Sequence, residues 1–377
     1  MISMTSNLKK NERNAVDKTV VMVCLLILAV LGCVFVYSAS SYVADKIYGD
    51  RFYFLKKQII GYICGAISFF AVRFIKVPVL KKIAVPFCCF TSVLLLLVLT
   101  PLGVEVYGAK RWIGFGAFTI QPSDFAKVAL ILFSATYFSN DLERVSTIKG
   151  CLPVISIGVI FCLLVIAEPN MSIAVCLAAV LAIMLFSAGF PLKKFVLLAL
   201  PLLLSLPILI IMEPYRLKRL YAFLDPWSSP KGEGYQLIQS LYALGSGGLF
   251  GVGIFNSRQK LKYLPFAESD FILSIIGEEV GFVGVTLLIV LCVILAIFVI
   301  RLGKKSGDFF IYLLSIGVSA VFLVQIAVNA LVVTGSIPPT GVPFPLISSG
   351  NTQIVTFASS FGLICSLSKR AEYVKLT

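Results

Sequence analysis

Residues 19–40 read Thr19-Val-Val-Met-Val-Cys-Leu-Leu-Ile-Leu-Ala-Val-Leu-Gly-Cys-Val-Phe-Val-Tyr-Ser-Ala-Ser40, without a single charged side chain. A helix of about 20 apolar residues is long enough to cross the hydrocarbon core of a bilayer. Lys9, Lys10, Arg13 and Lys18 precede the run, and Ser38-Ala39-Ser40 imitates a signal-peptidase site. The apolar stretch is too long for a signal h-region, so it reads as an uncleaved anchor.

Working outward, comparable runs fall at roughly 58–75, 83–101, 123–138, 150–167, 171–190, 195–212, 271–300, 309–334 and 350–367. The expected fold is therefore an all-α polytopic membrane protein with about ten transmembrane helices, forming one integral membrane domain over 1–377. Composition agrees: of 377 residues, 59% are apolar and 13% charged, against roughly 25% charged in soluble domains. Histidine is absent, which excludes histidine triads and HExxH-type zinc sites. The ten cysteines lie in or beside apolar runs without paired loop spacing, and read as small core hydrophobes.

Charge sets the topology. With the N-terminus inside, the cytoplasmic segments are the tail 1–18, then 74–82, 139–149, 191–194, 301–308 and the tail 368–377. Nearly all are basic: Arg73, Lys76, Lys81 and Lys82 flank one turn, and the others carry Lys193, Lys194, Arg301, Lys304, Lys305, Lys369 and Arg370, as the positive-inside rule requires of short loops. Both termini are then cytoplasmic. The longest connection, an extracytoplasmic loop at 213–270 between spans 7 and 8, breaks the pattern: its bases Arg216, Lys218, Arg219, Lys231, Arg258, Lys260 and Lys262 outnumber its acids. The net charge of +14 points to anionic lipids or an anionic substrate, since no basic run with interleaved aromatics suits nucleic acid.

Three constellations could carry chemistry. The first runs from Gly108 to Lys127, where Ser123 or Asp124 can cap a helix and Asp124 pairs with Lys127 at i,i+3 spacing, one turn into the membrane. The bland reading makes Asp124 a cap, Lys127 a snorkelling cation and Arg111-Trp112 an interfacial anchor. The second, Asn256 to Asp270, leads into an apolar helix with Ser269 or Asp270 at its N-terminus. Ser274, Gly277, Gly281 and Gly284 follow as a stripe of small residues, suited to helix packing or to a lipid chain. Glu278 and Glu279 need buried partners, for which Lys127 is one candidate. The third, Thr334 to Asn351, holds four prolines and several hydroxyls, including Ser348, and fits a re-entrant or buried loop, with a stiff turn as the alternative. Glu168-Pro169-Asn170 adds an acid at the same outer edge. The working face is extracytoplasmic.

These segments resemble the SEDS family (shape, elongation, division and sporulation), ten-span bacterial peptidoglycan polymerases. The resemblance runs through Tyr37 to Ser40, Gly108 to Trp112, Gln121-Pro122-Ser123, Tyr215 to Pro226, Gly234 to Ser240, Leu244 to Gly248, Asn256 to Pro265, Asp270-Phe271, Gly277 to Glu279 and Thr340 to Pro343. It looks more like the division and sporulation branch, FtsW and SpoVE, than the elongation branch, RodA. It implies a glycosyltransferase that polymerises lipid II, the undecaprenyl-diphosphate-linked disaccharide-pentapeptide, at the outer face of the bacterial cytoplasmic membrane, beside a class B penicillin-binding protein transpeptidase. By the same resemblance Asp270 is the catalytic residue, a general base for the acceptor hydroxyl. The substrate-binding set is Arg111, Gln121, Asp124, Lys127, Ser257, Arg258, Lys260, Glu279 and Ser348. No metal cluster is visible, and whether a divalent cation assists is left open. Asp124 stands where the family commonly has glutamate; Glu168 to Ser172, Phe266, Glu268 and Ser349 to Gln353 also depart from its pattern. The rival readings are a lipid II flippase, with its key charges near the midplane and helices broken there, and a non-catalytic scaffold that activates a transpeptidase.

Overall fold

The structure, a computed structural model, describes residues 2–106, 109–115, 118–197, 200, 207, 211 and 214–374. Most of the run expected at 195–212 lies outside the described residues, as do positions 107–108 of the first constellation and 375–377 of the C-terminal tail.

Helices dominate. They are α1 (Ile2–Tyr48), α2 (Tyr53–Ala71), α3 (Val77–Val98), α4 (Pro122–Asn140), α5 (Ile148–Ala167), α6 (Met171–Ala188), α7 (Pro214–Leu224), α8 (Tyr235–Gly247), α9 (Ile272–Ser306), α10 (Phe309–Val333) and α11 (Asn351–Val374). Their ends carry ordinary signals. Pro122 opens α4, Thr147 caps α5, Asp308 caps α10 through the Phe310 amide at 2.8 Å, and left-handed Gly189 and Gly307 close α6 and α9. Seven helices among the described residues are long and apolar enough to cross a membrane. The polar residues of α4 and α11 lower their hydropathy, yet both pack in the same bundle, α11 on α2 and α4 on α3 and α10.

The all-α expectation needs one correction. Between α3 and α4 lies an antiparallel sheet of β1 (Gly103–Val106), β2 (Ala109–Phe115) and β3 (Phe118–Ile120), in the order β1-β2-β3. Val104 faces Trp112 and Ile113 faces Ile120, with an irregularity after Val104. The β-branched and aromatic residues here alternate over too short a stretch to stand out from a glycine-rich loop.

A second correction concerns the small-residue stripe. At Gly281 the backbone leaves helical geometry (φ 71°, ψ −173°), breaking α9. Ser274, Gly277, Gly281 and Gly284 therefore do not share one continuous helix face. The break interrupts the i→i−4 ladder, and the segment after α8 takes it over. Phe282 and Val283 N–H donate to Gly248 and Leu249 C=O at 2.9 and 3.1 Å, while Val252 and Gly253 N–H donate to Glu278 and Glu279 C=O at 2.9 and 3.0 Å. Glycine is required at 281, because a Cβ would sit 2.4 Å from the Gly251 nitrogen and 2.5 Å from the Leu249 carbonyl oxygen. Gly277 likewise receives Leu244. The grooves that suited a lipid chain are filled by protein.

Connections gather at two ends. At one, Lys81 bonds Asn140, Lys194 bonds the Ser146 carbonyl, Lys305 bonds Asp17 and Ser366 bonds the Arg73 carbonyl. At the other meet the sheet, the 168–170 turn, the 256–271 segment and the proline-rich loop.

Candidate functional site

The proline-rich loop is buried, as its composition suggested: Val342, Phe344, Leu346, Ile347 and Ser348 are nearly inaccessible. Its backbone is paid for in hydrogen bonds. Gln58 Nε2 and Tyr62 OH of α2 donate to the Ile347 and Leu346 carbonyls at 3.1 and 2.6 Å, and Asn329 Nδ2 of α10 donates to Val342 C=O at 2.8 Å. The loop in turn holds the segment carrying Asp270. Ser348 Oγ donates to Ser269 C=O at 2.6 Å and accepts from Phe344 N–H at 2.8 Å. Ser349 N–H donates to Glu268 C=O at 2.9 Å. The same Asn329 amide donates to Asp270 C=O at 2.8 Å.

So fixed, Asp270 is not a helix cap, and neither is Ser269. The N-cap of α9 is Phe271, and no side chain caps it. Likewise Gln121, not Ser123 or Asp124, is the N-cap of α4, again without a side-chain bond. The half-buried Asp270 carboxylate instead faces two arginines. A Cβ on Gly341 would lie 3.3 Å from both Arg111 Nη1 and Asp270 Oδ2, so the two side chains border one gap beside that glycine. Arg111 of β2 donates through Nη2 to Pro169 C=O at 2.6 Å, and Arg219 of α7 donates through Nη1 to Pro339 C=O at 3.1 Å. Burial pushes Asp270 up to about 6, with Glu268 reinforcing the rise and Arg111 and Arg219 opposing it. Glu268 is itself raised by burial.

Asp124 and Lys127 pair at 2.7 Å, each only 3% exposed, as their spacing suggested. Gln121 N–H donates to Thr352 Oγ1 at 3.2 Å, joining α4 to α11.

Glu278 and Glu279 have partners, but not Lys127. Glu279 Oε1 accepts from Lys260 Nζ at 3.0 Å and Ser38 Oγ at 2.5 Å. Glu278 accepts from Ser257 Oγ, from Arg258 N–H at 2.9 Å and from Gln259 N–H at 3.3 Å. Ser257, Lys260 and Glu279 thus form a buried network separate in its bonding from Asp270.

The residues brought together around Asp270 are Arg111, Arg219, Glu268, Asn329, Gly341 and Ser348. Of these Asn329 escaped sequence reading, and Arg219 counted only toward loop charge; its signal was its place in the ordered Tyr215 to Pro226 string. Among the described residues no three His, Cys, Asp or Glu side chains converge to hold a metal ion.

The model of a family described as cell cycle protein, of FtsW, RodA and SpoVE type, matches residues 18–373. The chain is 38% identical to the probable peptidoglycan glycosyltransferase FtsW of Trichlorobacter lovleyi, over 99% of each chain. It is 35% identical to stage V sporulation protein E of Bacillus subtilis, over 96% of this chain and 99% of that one. Among solved structures, a chain from a peptidoglycan synthase complex that coordinates polymerization and crosslinking aligns with a TM-score of 0.76 and 25% identity, covering 93% of this chain and 97% of that one. The rod shape determining protein RodA of Thermus thermophilus shares the fold, with a TM-score of 0.67 at 22% identity over 93% and 95% of the two chains.

Proposed function

Because the chain belongs to the FtsW, RodA and SpoVE family of cell cycle proteins, we propose that it is a peptidoglycan glycosyltransferase in which Asp270 is the general base. It polymerises lipid II at the outer face of the cytoplasmic membrane, which it crosses ten times with both termini inside. It works beside a class B penicillin-binding transpeptidase.

The observation that carries the assignment of Asp270 is a carboxylate that no helix end uses, held by its own backbone and bordering a gap with Arg111. A base near pKa 6 is matched to proton abstraction at neutral pH. The Asp270 carboxylate takes the proton of an acceptor sugar hydroxyl. That oxygen bonds to the anomeric carbon of the donor, the bond from that carbon to the diphosphate oxygen breaks, and undecaprenyl diphosphate leaves with the electron pair. Arg111 and Arg219 are placed to meet the charge that develops on the leaving group. Arg258 is tied instead to the Glu278 network through its backbone N–H. Asn329 and Ser348 hold the base in register.

The break at Gly281 is the one observation that favours a transporter. Its backbone groups, however, are bonded to residues 248–253, and Glu278 and Glu279 beside it are engaged in the Ser257–Lys260 network. A scaffold without chemistry leaves the raised, uncapped Asp270 without a role. The test is polymerisation of labelled lipid II by the purified protein with its partner, comparing wild type with Asp270→Asn. Loss of the base is expected to cost roughly 10²–10⁴-fold in rate. Normal polymer from the variant would remove Asp270 from the chemistry, and translocation of fluorescent lipid II in proteoliposomes without polymer would favour the flippase.

A further inference from the structure

Arg111 lies between two carboxyl groups. On one side is Asp270, across the gap beside Gly341. On the other is Glu168, at the C-terminal end of α5, next to the Pro169 carbonyl on which Arg111 is seated. Glu168 is 0% exposed, and neither of its carboxylate oxygens has a hydrogen-bond partner. A buried carboxyl without a partner is rare and costly, and nothing in the reaction described above uses it.

We propose that Glu168 is a positioning residue that competes with Asp270 for Arg111, its own protonation deciding whether the guanidinium serves the reacting site. The proposal rests on the reading of Asp270 as the base. When Glu168 carries its proton it is neutral, and the Arg111 charge is available to Asp270 and to a leaving diphosphate. When Glu168 ionises, its charge has the guanidinium as its nearest opposite, and in a desolvated setting that attraction is strong. Arg111 is then drawn toward 168 and away from the gap.

The surroundings support a proton that leaves late. Burial pushes Glu168 up to about 8, and Arg111 is the charge that opposes the rise. Of the elements packed on α5, α4 brings Asp124 and Lys127, which bond each other. The charges of α3, Lys81 and Lys82, stand at the opposite end of the bundle, where Lys81 meets Asn140. α6 (Met171–Ala188) contains no charged residue, and the 3-10 turn Glu143–Ser146, with Glu143 and Arg144, packs at the N-terminal end of α5, opposite to Glu168. Beyond Arg111 stand Asp270, Glu268 and Arg219.

The experiment is the rate of lipid II polymerisation by the full chain with its transpeptidase, measured from pH 5 to 9.5 for wild type and Glu168→Gln. The readout is the ratio of the rate at pH 9 to that at pH 7 within each protein. One titration centred near 8 lowers that ratio about tenfold in wild type. In E168Q, which keeps the neutral form's shape and cannot ionise, the ratio is expected to stay near one while the acidic limb from Asp270 remains. The same alkaline fall in both proteins, or no fall in wild type, overturns the proposal. Should E168Q not fold, Glu168→Asp retains a titrating carboxyl on a shorter arm, and its alkaline limb must move from the wild-type position; an unmoved limb overturns the proposal equally. Loss of the acidic limb alone would instead count against Asp270 as the base and leave the alkaline comparison standing.

Discussion

Two groups of acids sit within the same protein and are treated in opposite ways. Glu278 and Glu279 are buried in α9 and supplied with donors, including two backbone amides for Glu278 and a lysine for Glu279. Asp270 and Glu168 share the neighbourhood of a single arginine, and Glu168 has no hydrogen bond at all. A buried network in which each carboxylate has donors, even with Glu279 Oε2 left over, stabilises one arrangement, whereas a carboxyl with no hydrogen bond at either oxygen retains a raised pKa and a proton it can exchange. The first group holds the broken helix and the 256–260 turn to α1. The second leaves both carboxyls with raised pKa values beside the same guanidinium.

That contrast is open to direct attack. Lys260→Met leaves Glu279 buried without its cation, and should cost about 3–5 kcal/mol of stability, read as a lowered unfolding midpoint in detergent. An unchanged midpoint would erase the distinction between the two groups. Ser348→Ala is expected to do less to stability and more to chemistry. It removes the hydroxyl that links Phe344 N–H and Ser269 C=O, a cost of about 1–3 kcal/mol. Because Ser269 precedes Asp270, the proposed base, a displaced carboxylate should slow polymerisation by up to roughly 10²-fold. Equal losses of stability and rate in the two variants would show that the site and the network are one unit.

Much of this was legible in the chain. The apolar runs, the pairing of Asp124 with Lys127, the buried proline-rich loop and the meeting of the connecting segments at one end all follow from length, spacing and composition, which report on solvent and on local geometry. Of the cysteines read as core hydrophobes, Cys24, Cys88, Cys151, Cys176 and Cys292 are buried, while Cys64 and Cys89 are exposed. The partner of Glu279 was not legible, because Lys260 reaches it across a turn whose shape depends on the segment stitched to the break at Gly281. The break itself was hidden by an apolar pattern that continues through it and by glycines that read equally well as packing contacts. Asp270 looked like a cap because an acid just before a helix usually is one. The structure starts the helix at Ile272, with Phe271 as its N-cap, and bonds the Asp270 carbonyl to Asn329, 59 positions away in sequence. Glu168 read only as a further acid at the outer edge; its full burial, beside the Pro169 carbonyl that receives Arg111, depends on residues far apart in sequence.

The central claim is that the carboxylate of Asp270, raised by its burial, accepts the proton in the polymerisation step. The most direct test is kcat/KM for lipid II as a function of pH in wild type and in Asp270→Glu. Since the carboxylate form is the active one, the rate should fall about tenfold per pH unit below about 6, and the midpoint should shift in the glutamate variant. A wild-type rate that is flat from pH 5 to 7, or an acidic limb that Asp270→Glu leaves in place, would contradict it.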